Sequence, residues 1–408
     1  MEIPKNVKYI LKKLNGKGHE ALVVGGCVRD SLMGIVPKDW DVTTSATPIQ
    51  IKECFSHTHD TGIKHGTITV VIEKSNYEVT TYRIDGEYLD NRHPSDVVFT
   101  TNLEEDLVRR DFTMNAIAFH EDLGFVDPFG GIDDIKKKKI CAVLEPSKRF
   151  QEDALRMLRA VRFSAQLGFD IEPKTLSAIE DNAHLISNIS VERVRDEFTK
   201  LLLTSRPSKI EILQNSNLMH YMLPQDFQSS CEQISLSNII DCISLSDLDI
   251  EIRLTLMLQF LQTAESTKIL KYFKYDNKTI KNVSSILKYI NVDFENDSYL
   301  IRKYLSNNTP FIFKKVLKAK LIISAAKKCD TEIETLENIC TTFNAIIKNE
   351  DCISLKELKI NGNDLKKLGI TDGKEIGDKL KFLLDEVLKC PQNNDFEILK
   401  SLLDLPQN

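Results

Sequence analysis

Gly25-Gly26-Cys27-Val28-Arg29-Asp30 is followed nine residues later by Asp39-Trp40-Asp41, and the two halves point to one chemistry. Residues 21–24 read as a short buried strand. The glycines then permit a tight turn, and residues 27–33 read as a helix whose first N–H groups face an anion. Gly26 lies where a triphosphate would approach the backbone. Asp39 and Asp41 are two apart in a segment entering Val42-Thr43-Thr44, so on a strand both carboxylates project from one face. Such oxygen ligands suit magnesium, which binds through one or two carboxylates together with substrate phosphates. Alone, a Gly-Gly turn is punctuation and an Asp-x-Asp is a solvated strand edge. In this order and spacing they point to nucleotidyl transfer with two metal ions, one activating a hydroxyl and one neutralising the triphosphate and leaving pyrophosphate.

Three further groups bear on the substrate. Residues 66–72 and 77–83 read as neighbouring strands joined by a short polar turn. Glu78, on a face shared with Thr80 and Tyr82, either completes a carboxylate trio with Asp39 and Asp41 or is a solvated strand residue. Arg109-Arg110-Asp111-Phe112-Thr113-Met114-Asn115-Ala116 sets two guanidinium groups, an acid and an amide around an apolar turn. Arginine suits triphosphate oxygens, and Asp111 with Asn115, one helical step apart, can hold a ribose hydroxyl; the bland account is an ion-paired helix start. Glu152-Asp153-Ala154-Leu155-Arg156 places Asp153 and Arg156 three apart on one helix face, where a plain surface salt bridge would also fit. A carboxylate acceptor beside a guanidinium donor matches cytosine and adenine, whose exocyclic amines lie beside ring acceptors. Uracil and guanine put an oxygen in that place and leave the site mismatched.

The elements that must position these groups divide the chain in two. Up to about residue 140, strands near 21–24, 40–44, 66–72, 77–83 and 114–120 alternate with helices. After the turn Val126-Asp127-Pro128-Phe129-Gly130-Gly131 and the basic run 136–139, nearly everything has helical period, with helices at about 148–167, 173–184, 190–204 and 206–216 and longer amphipathic ones beyond 230. A chain of 408 residues holds two to four compact units. It has no stretch apolar enough to span a bilayer and no leader-like start, so a cytoplasmic protein is expected. The nine cysteines are scattered without a Cys-x-x-Cys pair, which argues for reduced, structural thiols and against a zinc site. Net charge is −6, yet residues 268–328 hold fourteen Lys or Arg against four acids. That excess reads as a phosphate-backbone surface or, more plainly, as solvated helix faces.

The combination resembles the bacterial class II tRNA nucleotidyltransferases, the CCA-adding enzymes of the polymerase-beta-like superfamily. GGCVRD with DWD, RRDFTMNA, EDALRMLRAVRF and Val191-Glu192-Arg193-Val194-Arg195-Asp196-Glu197 occur in family order between residues 21 and about 205. The resemblance implies an α+β fold: a mixed, largely antiparallel sheet forming a nucleotidyltransferase head (1–140), then an all-α neck (141–205), body (206–300) and tail (301–408) in a curved molecule. It implies metal binding by Asp39 and Asp41 with Glu78 as third carboxylate, and triphosphate or ribose contacts from Arg29, Arg110, Asp111 and Asn115. It also implies base templating by Asp153 and Arg156, with Arg159 and Arg162 of the same segment as further nucleotide contacts. Residues 192–197 match a motif taken as support for the templating helix. Implied ligands are Mg2+, CTP, ATP and the 3′ end and acceptor arm of tRNA, with no membrane partner. The glycines of 358–377 are similar to the tail of Gram-positive members, where backbone N–H groups approach RNA phosphates, or they punctuate helices.

Related activities remain as alternatives. Residues 83–94 resemble the flexible loop that CC-adding relatives lack, which leaves full CCA addition and A-only addition. The basic extension of bacterial poly(A) polymerases is not seen. No histidine follows His220, which excludes a His-Asp hydrolase domain downstream, and His59-Asp60 reads as incidental. A small-molecule adenylyltransferase would not need the Asp153/Arg156 pair or the basic stretch, and a catalytically dead RNA-binding head would have lost its aspartates.

Overall fold

The computed structural model describes residues 1–86, 97–227 and 236–403, and it is α+β as expected. The chain forms two compact units, Met1–Ile234 with Tyr272–Lys274, and Ser235–Lys271 with Tyr275–Asn408. Most of the 83–94 segment and Cys231 lie outside the described residues. The other eight cysteines are free thiols. No described helix is long and apolar enough to cross a membrane.

The first unit opens with α1 (Lys5–Asn15), whose Val7, Ile10, Leu11 and Leu14 recur at helical spacing and are buried. The strands β1 (Ala21–Val24), β2 (Asp41–Thr44), β3 (Thr58–Gly62), β4 (Thr67–Ile72), β5 (Ser75–Thr81), β6 (Arg83–Asp85), β7 (Val97–Phe99), β8 (Ala118–His120) and β9 (Gly124–Val126) follow. Seven of them form one sheet in the order β3-β4-β5-β2-β1-β8-β9, and β6 pairs with β7 separately. β2 and β5 run parallel, while the other pairings within the sheet are antiparallel. Central β1 is buried at all four positions, whereas β2 is exposed only at Asp41, the end that carries the carboxylate. Leu22, Val24, Tyr82, Leu107, Ala116 and Ala118 join in one core that holds the sheet against α4 (Leu103–Val108).

Several boundaries differ from the sequence expectation. The 114–120 strand is a 3-10 turn, Thr113–Asn115, followed by β8. Tyr82, expected on the face of Glu78, lies past the end of β5 and is fully buried. β3, β6, β7 and β9 were not anticipated: β3 (THDTG) has no apolar side chain to set a period, and the other three are only three residues long. The 148–167 helix is two, α6 (Pro146–Glu152) and α7 (Leu155–Leu167), numbered after α2 (Gly26–Leu32), α3 (Pro48–Cys54) and α5 (Gly131–Lys136). α8 (Pro173–Asn182) and α9 (Val191–Leu202) complete this region, and α7 packs along α9.

The second unit is helical. Ile301, Leu305, Phe313, Leu317, Leu336, Ile339, Phe343 and Ile346 form one core, and Leu358, Ile360, Leu365, Ile376, Leu383, Val387 and Leu399 another. Three of its glycines stand at helix ends, and Gly377 lies within a helix. Asn361 caps Gly362–Lys367 in a reciprocal pair with Asp364, Gly369 takes φ +93°, and Asp372 caps Gly373–Lys389.

Candidate active site

The predicted residues of the head come together at one end of β1 and β2, beside the middle of β5. Asp41 and Glu78 are direct register partners across the parallel β2–β5 pair, so their side chains leave the same face of the sheet. Asp41 is open to solvent yet crowded by protein. Desolvation raises its pKa above the usual carboxylate range, the charges of Glu78 and Asp39 add to the rise, and Arg110 opposes it. Asp39 is therefore close enough to be felt. Among the described residues no three His, Cys, Asp or Glu side chains are grouped closely enough to hold a metal ion by themselves. An oxygen-only donor set whose carboxylates repel one another nonetheless fits a divalent cation, because such an ion relieves that repulsion and takes its remaining ligands from phosphates and water.

The turn beside these carboxylates is built by backbone conformation. Gly25 adopts φ +82°, and a Cβ there would lie 3.1 Å from a guanidinium nitrogen of Arg110. Arg110 thus sits against the turn that leads into α2. It is anchored by the fully buried Asp106, which accepts from Arg110 at 3.2 Å, from Arg109 at 2.7 Å and from Thr43 on β2 at 3.2 Å. Burial pushes the Asp106 carboxyl up, but the two arginines outweigh it and hold it below its ordinary range. Asp106 was not picked out from the sequence, although its place on α4, three and four residues before Arg109 and Arg110 just past the helix end, is the signal that finds it.

A second set of residues forms one buried chain of charges. Arg29 donates to Asn115 Oδ1 at 2.7 Å, and Asn115 donates to Asp111 Oδ1 at 3.1 Å. Arg159 donates to Asp111 Oδ2 at 2.8 and 3.0 Å. Glu197 on α9 then binds Arg162 and lies 3.7 Å from Arg159. The ring of Phe163 has all three guanidinium carbons around it, Arg162 at 3.9 Å, Arg29 at 5.1 Å and Arg159 at 5.3 Å. Burial raises the Asp111 carboxyl, yet the Arg159 charge, hydrogen bonds from Asn115 and Arg159, and the Arg156 charge together bring it down to about 2. The structure therefore joins Arg29, Asp111, Asn115, Arg159 and Arg162 to one another and adds Phe163 and Glu197.

Asp153 and Arg156 do not share a helix face, which corrects the reading from spacing. Asp153 is extended (φ −141°, ψ 101°) at the break between α6 and α7. Its carboxylate accepts from Leu155 N at 3.2 Å and from both terminal nitrogens of Arg193 on α9, at 3.2 and 2.8 Å. The cap on α7 and this distant ion pair explain why the helix stops there. Arg156, nearly buried, donates to Glu152 at 2.8 Å and to the carbonyls of Arg149 (3.2 Å) and Arg109 (2.8 Å). The simple Asp153–Arg156 salt bridge is thus not formed.

Part of the basic stretch 268–328 is spent internally. Lys315 pairs with Asp249 and Glu251, Lys318 with Asp247, Arg302 with Asp351, and Lys320 donates to the carbonyls of Ile290 and Val292. Lys278, Lys281 and Lys288 remain exposed on the helix Asn277–Ile290. Asp60 of the His59-Asp60 pair makes an exposed ion pair with Lys52 at 3.0 Å.

Comparison with known proteins identifies the family. Residues 21–141 match the poly(A) polymerase head domain, residues 168–226 a probable RNA and SrmB-binding site of polymerase A, and residues 249–403 the tRNA nucleotidyltransferase domain 2 family. The CCA-adding enzyme of Ligilactobacillus salivarius is 36% identical over 96% of this chain and 93% of its own length. That of Pediococcus pentosaceus is 41% identical over 71% and 73%. The crystal structure of the Bacillus stearothermophilus CCA-adding enzyme in complex with CTP superposes with a TM-score of 0.80 at 31% identity, covering 99% of this chain and 98% of that one. The Thermotoga maritima CCA-adding enzyme complexed with tRNA shares the fold, at a TM-score of 0.64 and 21% identity over 98% and 96%. A sheet that pairs Asp41 with Glu78 beside a glycine turn, within a chain matched to these enzymes along nearly its whole length, places it in the CCA-adding enzyme family.

Proposed function

We propose that this protein adds cytidine, cytidine and adenosine to the 3′ end of tRNA, taking CTP and ATP in turn and releasing pyrophosphate at each addition. The observation that carries the reading is the in-register pair Asp41 and Glu78 beside the Gly25–Arg110 turn, in a chain 36% identical to a CCA-adding enzyme over 96% of its length. Asp39 and Asp41 would hold Mg2+, with Glu78 as the third carboxylate. When bound, the ion supplies Lewis-acid activation of the tRNA 3′-hydroxyl and neutralises charge on the pyrophosphate. The 3′-oxygen forms a bond to the α-phosphorus as the bond to pyrophosphate breaks. Gly26 and Arg110 receive the triphosphate, Arg29 carries its charge to the same place, and Asp111 with Asn115 faces the ribose. Arg159 and Arg162 hold this group from the neck.

Hydrogen-bond accounting supports base choice by Asp153 and Arg156. An ionised carboxylate has about four lone-pair sites and a guanidinium five N–H donors. Three bonds to Asp153 and three from Arg156 leave, among the described residues, one acceptor and two donors. That remainder matches the amine and ring acceptors of cytosine and adenine. We assign 1–140 as head, 141–205 as neck, 206–300 as body and 301–408 as tail, acting in the cytoplasm where tRNA matures.

The test is direct. The protein, magnesium and a tRNA lacking its 3′ end are incubated with CTP, with ATP and with both, and products are read at nucleotide resolution. Two cytidines from CTP and a following adenosine with both establish the reading. Extension of only a tRNA already ending in CC makes it an A-adding enzyme, and long adenosine tracts make it a poly(A) polymerase.

A further inference from the structure

We infer that Arg193 is a positioning residue for nucleotide choice: it orients the Asp153 carboxylate so that one acceptor is presented to the incoming base. The inference rests on the reading that Asp153 contacts the base. Asp153 sits in extended backbone between two helices, so no helix restrains its side chain, and a carboxylate turns readily about its last torsion. What restrains it is the two-pronged contact from Arg193, with NH1 on Oδ1 at 3.2 Å and NH2 on Oδ2 at 2.8 Å. Fork-to-carboxylate pairs of this kind define a plane as well as a distance. Leu155 N takes a further site on Oδ1, so the remaining acceptor belongs to Oδ2.

Arg193 is itself held in place. It lies in the first turn of α9, and that helix is tied to α7 through Glu197 and Arg162. The two side chains retain 29% and 18% exposure, so the carboxylate stays reachable by a ligand. Glu152 plays the matching part for Arg156, accepting from it at 2.8 Å. Both reading groups are therefore oriented by charges that need not touch substrate. A carboxylate fixed with one free acceptor rejects uracil and guanine, because the oxygen of those bases would meet an acceptor with no alternative rotamer. A freely turning carboxylate would lose part of that rejection and part of its hold on the correct base.

The experiment compares the full-length protein with Arg193→Met, Arg193→Lys and Asp153→Asn, measuring kcat and KM for CTP, UTP, ATP and GTP on tRNAs ending before each addition. Arg193→Met is expected to reduce CTP-over-UTP and ATP-over-GTP discrimination about tenfold, chiefly through KM, the scale of one charge-assisted hydrogen bond. Arg193→Lys, which keeps the charge but not the fork, should restore part of it. Relaxed choice in Asp153→Asn with unchanged choice in both Arg193 variants overturns the inference and leaves the base-reading assignment standing. Unchanged choice in Asp153→Asn overturns that assignment itself. An equal fall in kcat for all four nucleotides, with discrimination kept, marks Arg193 as merely structural and also overturns the inference. Should Arg193→Met fail to fold by circular dichroism, Arg193→Lys decides, with an expected loss of about threefold and wild-type choice as the contrary result.

Discussion

Asp41 on β2 and Glu78 on β5 stand directly opposite one another in a parallel strand pair, and the repulsion between them helps to keep the Asp41 carboxyl above its ordinary range. A surface serving only stability would not concentrate negative charge there. Asp39→Ala and Asp41→Asn should each cut nucleotide incorporation at least about a hundredfold while tRNA affinity changes little. Single-turnover assays beside filter binding measure both, and substantial turnover in either variant would remove these residues from the metal site.

Asp111 gives a pH prediction. Its folded pKa of about 2 lies below the reference value of 3.8, so its contribution to stability is complete above about pH 4 and lost as pH falls toward 2. The difference corresponds to about 2 kcal/mol. Denaturant titrations of the wild type and Asp111→Asn should differ by about that amount at neutral pH and converge near pH 2. A constant difference across the range would place the stabilisation elsewhere.

Glu197 closes the chain of charges from α2 to α9, being 4% exposed and paired with Arg162, Arg159 and Lys200. Removing its charge leaves the buried Arg162 guanidinium without its carboxylate, beside the half-buried Arg159. Glu197→Gln should cost about 3 kcal/mol of unfolding free energy. It should also slow transfer with all nucleotides alike, which separates it from the effect expected at Arg193. Urea denaturation and steady-state kinetics supply the two readouts.

Gly131 is demanded by close approach. A Cβ there would lie 2.2 Å from the carbonyl oxygen of Thr113, on the turn that carries Asn115. Gly131→Ala must displace that turn, and a loss of about 2 kcal/mol with weaker CTP binding is expected. Calorimetric nucleotide titration with a thermal melt checks it, and wild-type values for both would show that the turn yields without cost.

The lysines of the second unit should separate into two kinds. Replacing Lys278, Lys281 or Lys288 by Ala should weaken tRNA binding and lower the slope of affinity against salt by about 1 each, as for residues that displace phosphate counterions. Lys315→Ala should instead lower stability by about 1–3 kcal/mol, because it leaves Asp249 and Glu251 without their shared partner. If the salt slope responds to Lys315 more than to the exposed three, the division is wrong.

Much of the site is visible in the chain itself. The Asp39-Trp40-Asp41 spacing announces two neighbouring carboxylates, although only Asp41 lies on β2 and Asp39 stands in the bend before it; the glycines announce the turn before α2, and the run from Arg109 to Asn115 announces the cluster of Arg110, Asp111 and Asn115. These depend on period and backbone freedom, which act over a few residues. The amphipathic period of α1 and α9 likewise follows from short-range spacing.

Other features depended on segments that meet only after folding. Asp153 looks like a helix residue until Arg193, 40 positions on, and the cap on Leu155 give its carboxylate better partners outside the helix. Lys315 and Lys318 look like RNA contacts until acids 64 to 71 residues earlier neutralise them. The parallel register that sets Glu78 against Asp41 is chosen by the packing of the whole sheet. Residue type and local spacing thus determined which groups this protein possesses. The tertiary structure decided which charges face solvent and which are already satisfied, because a long side chain takes whichever partner the packed chain brings within hydrogen-bond reach.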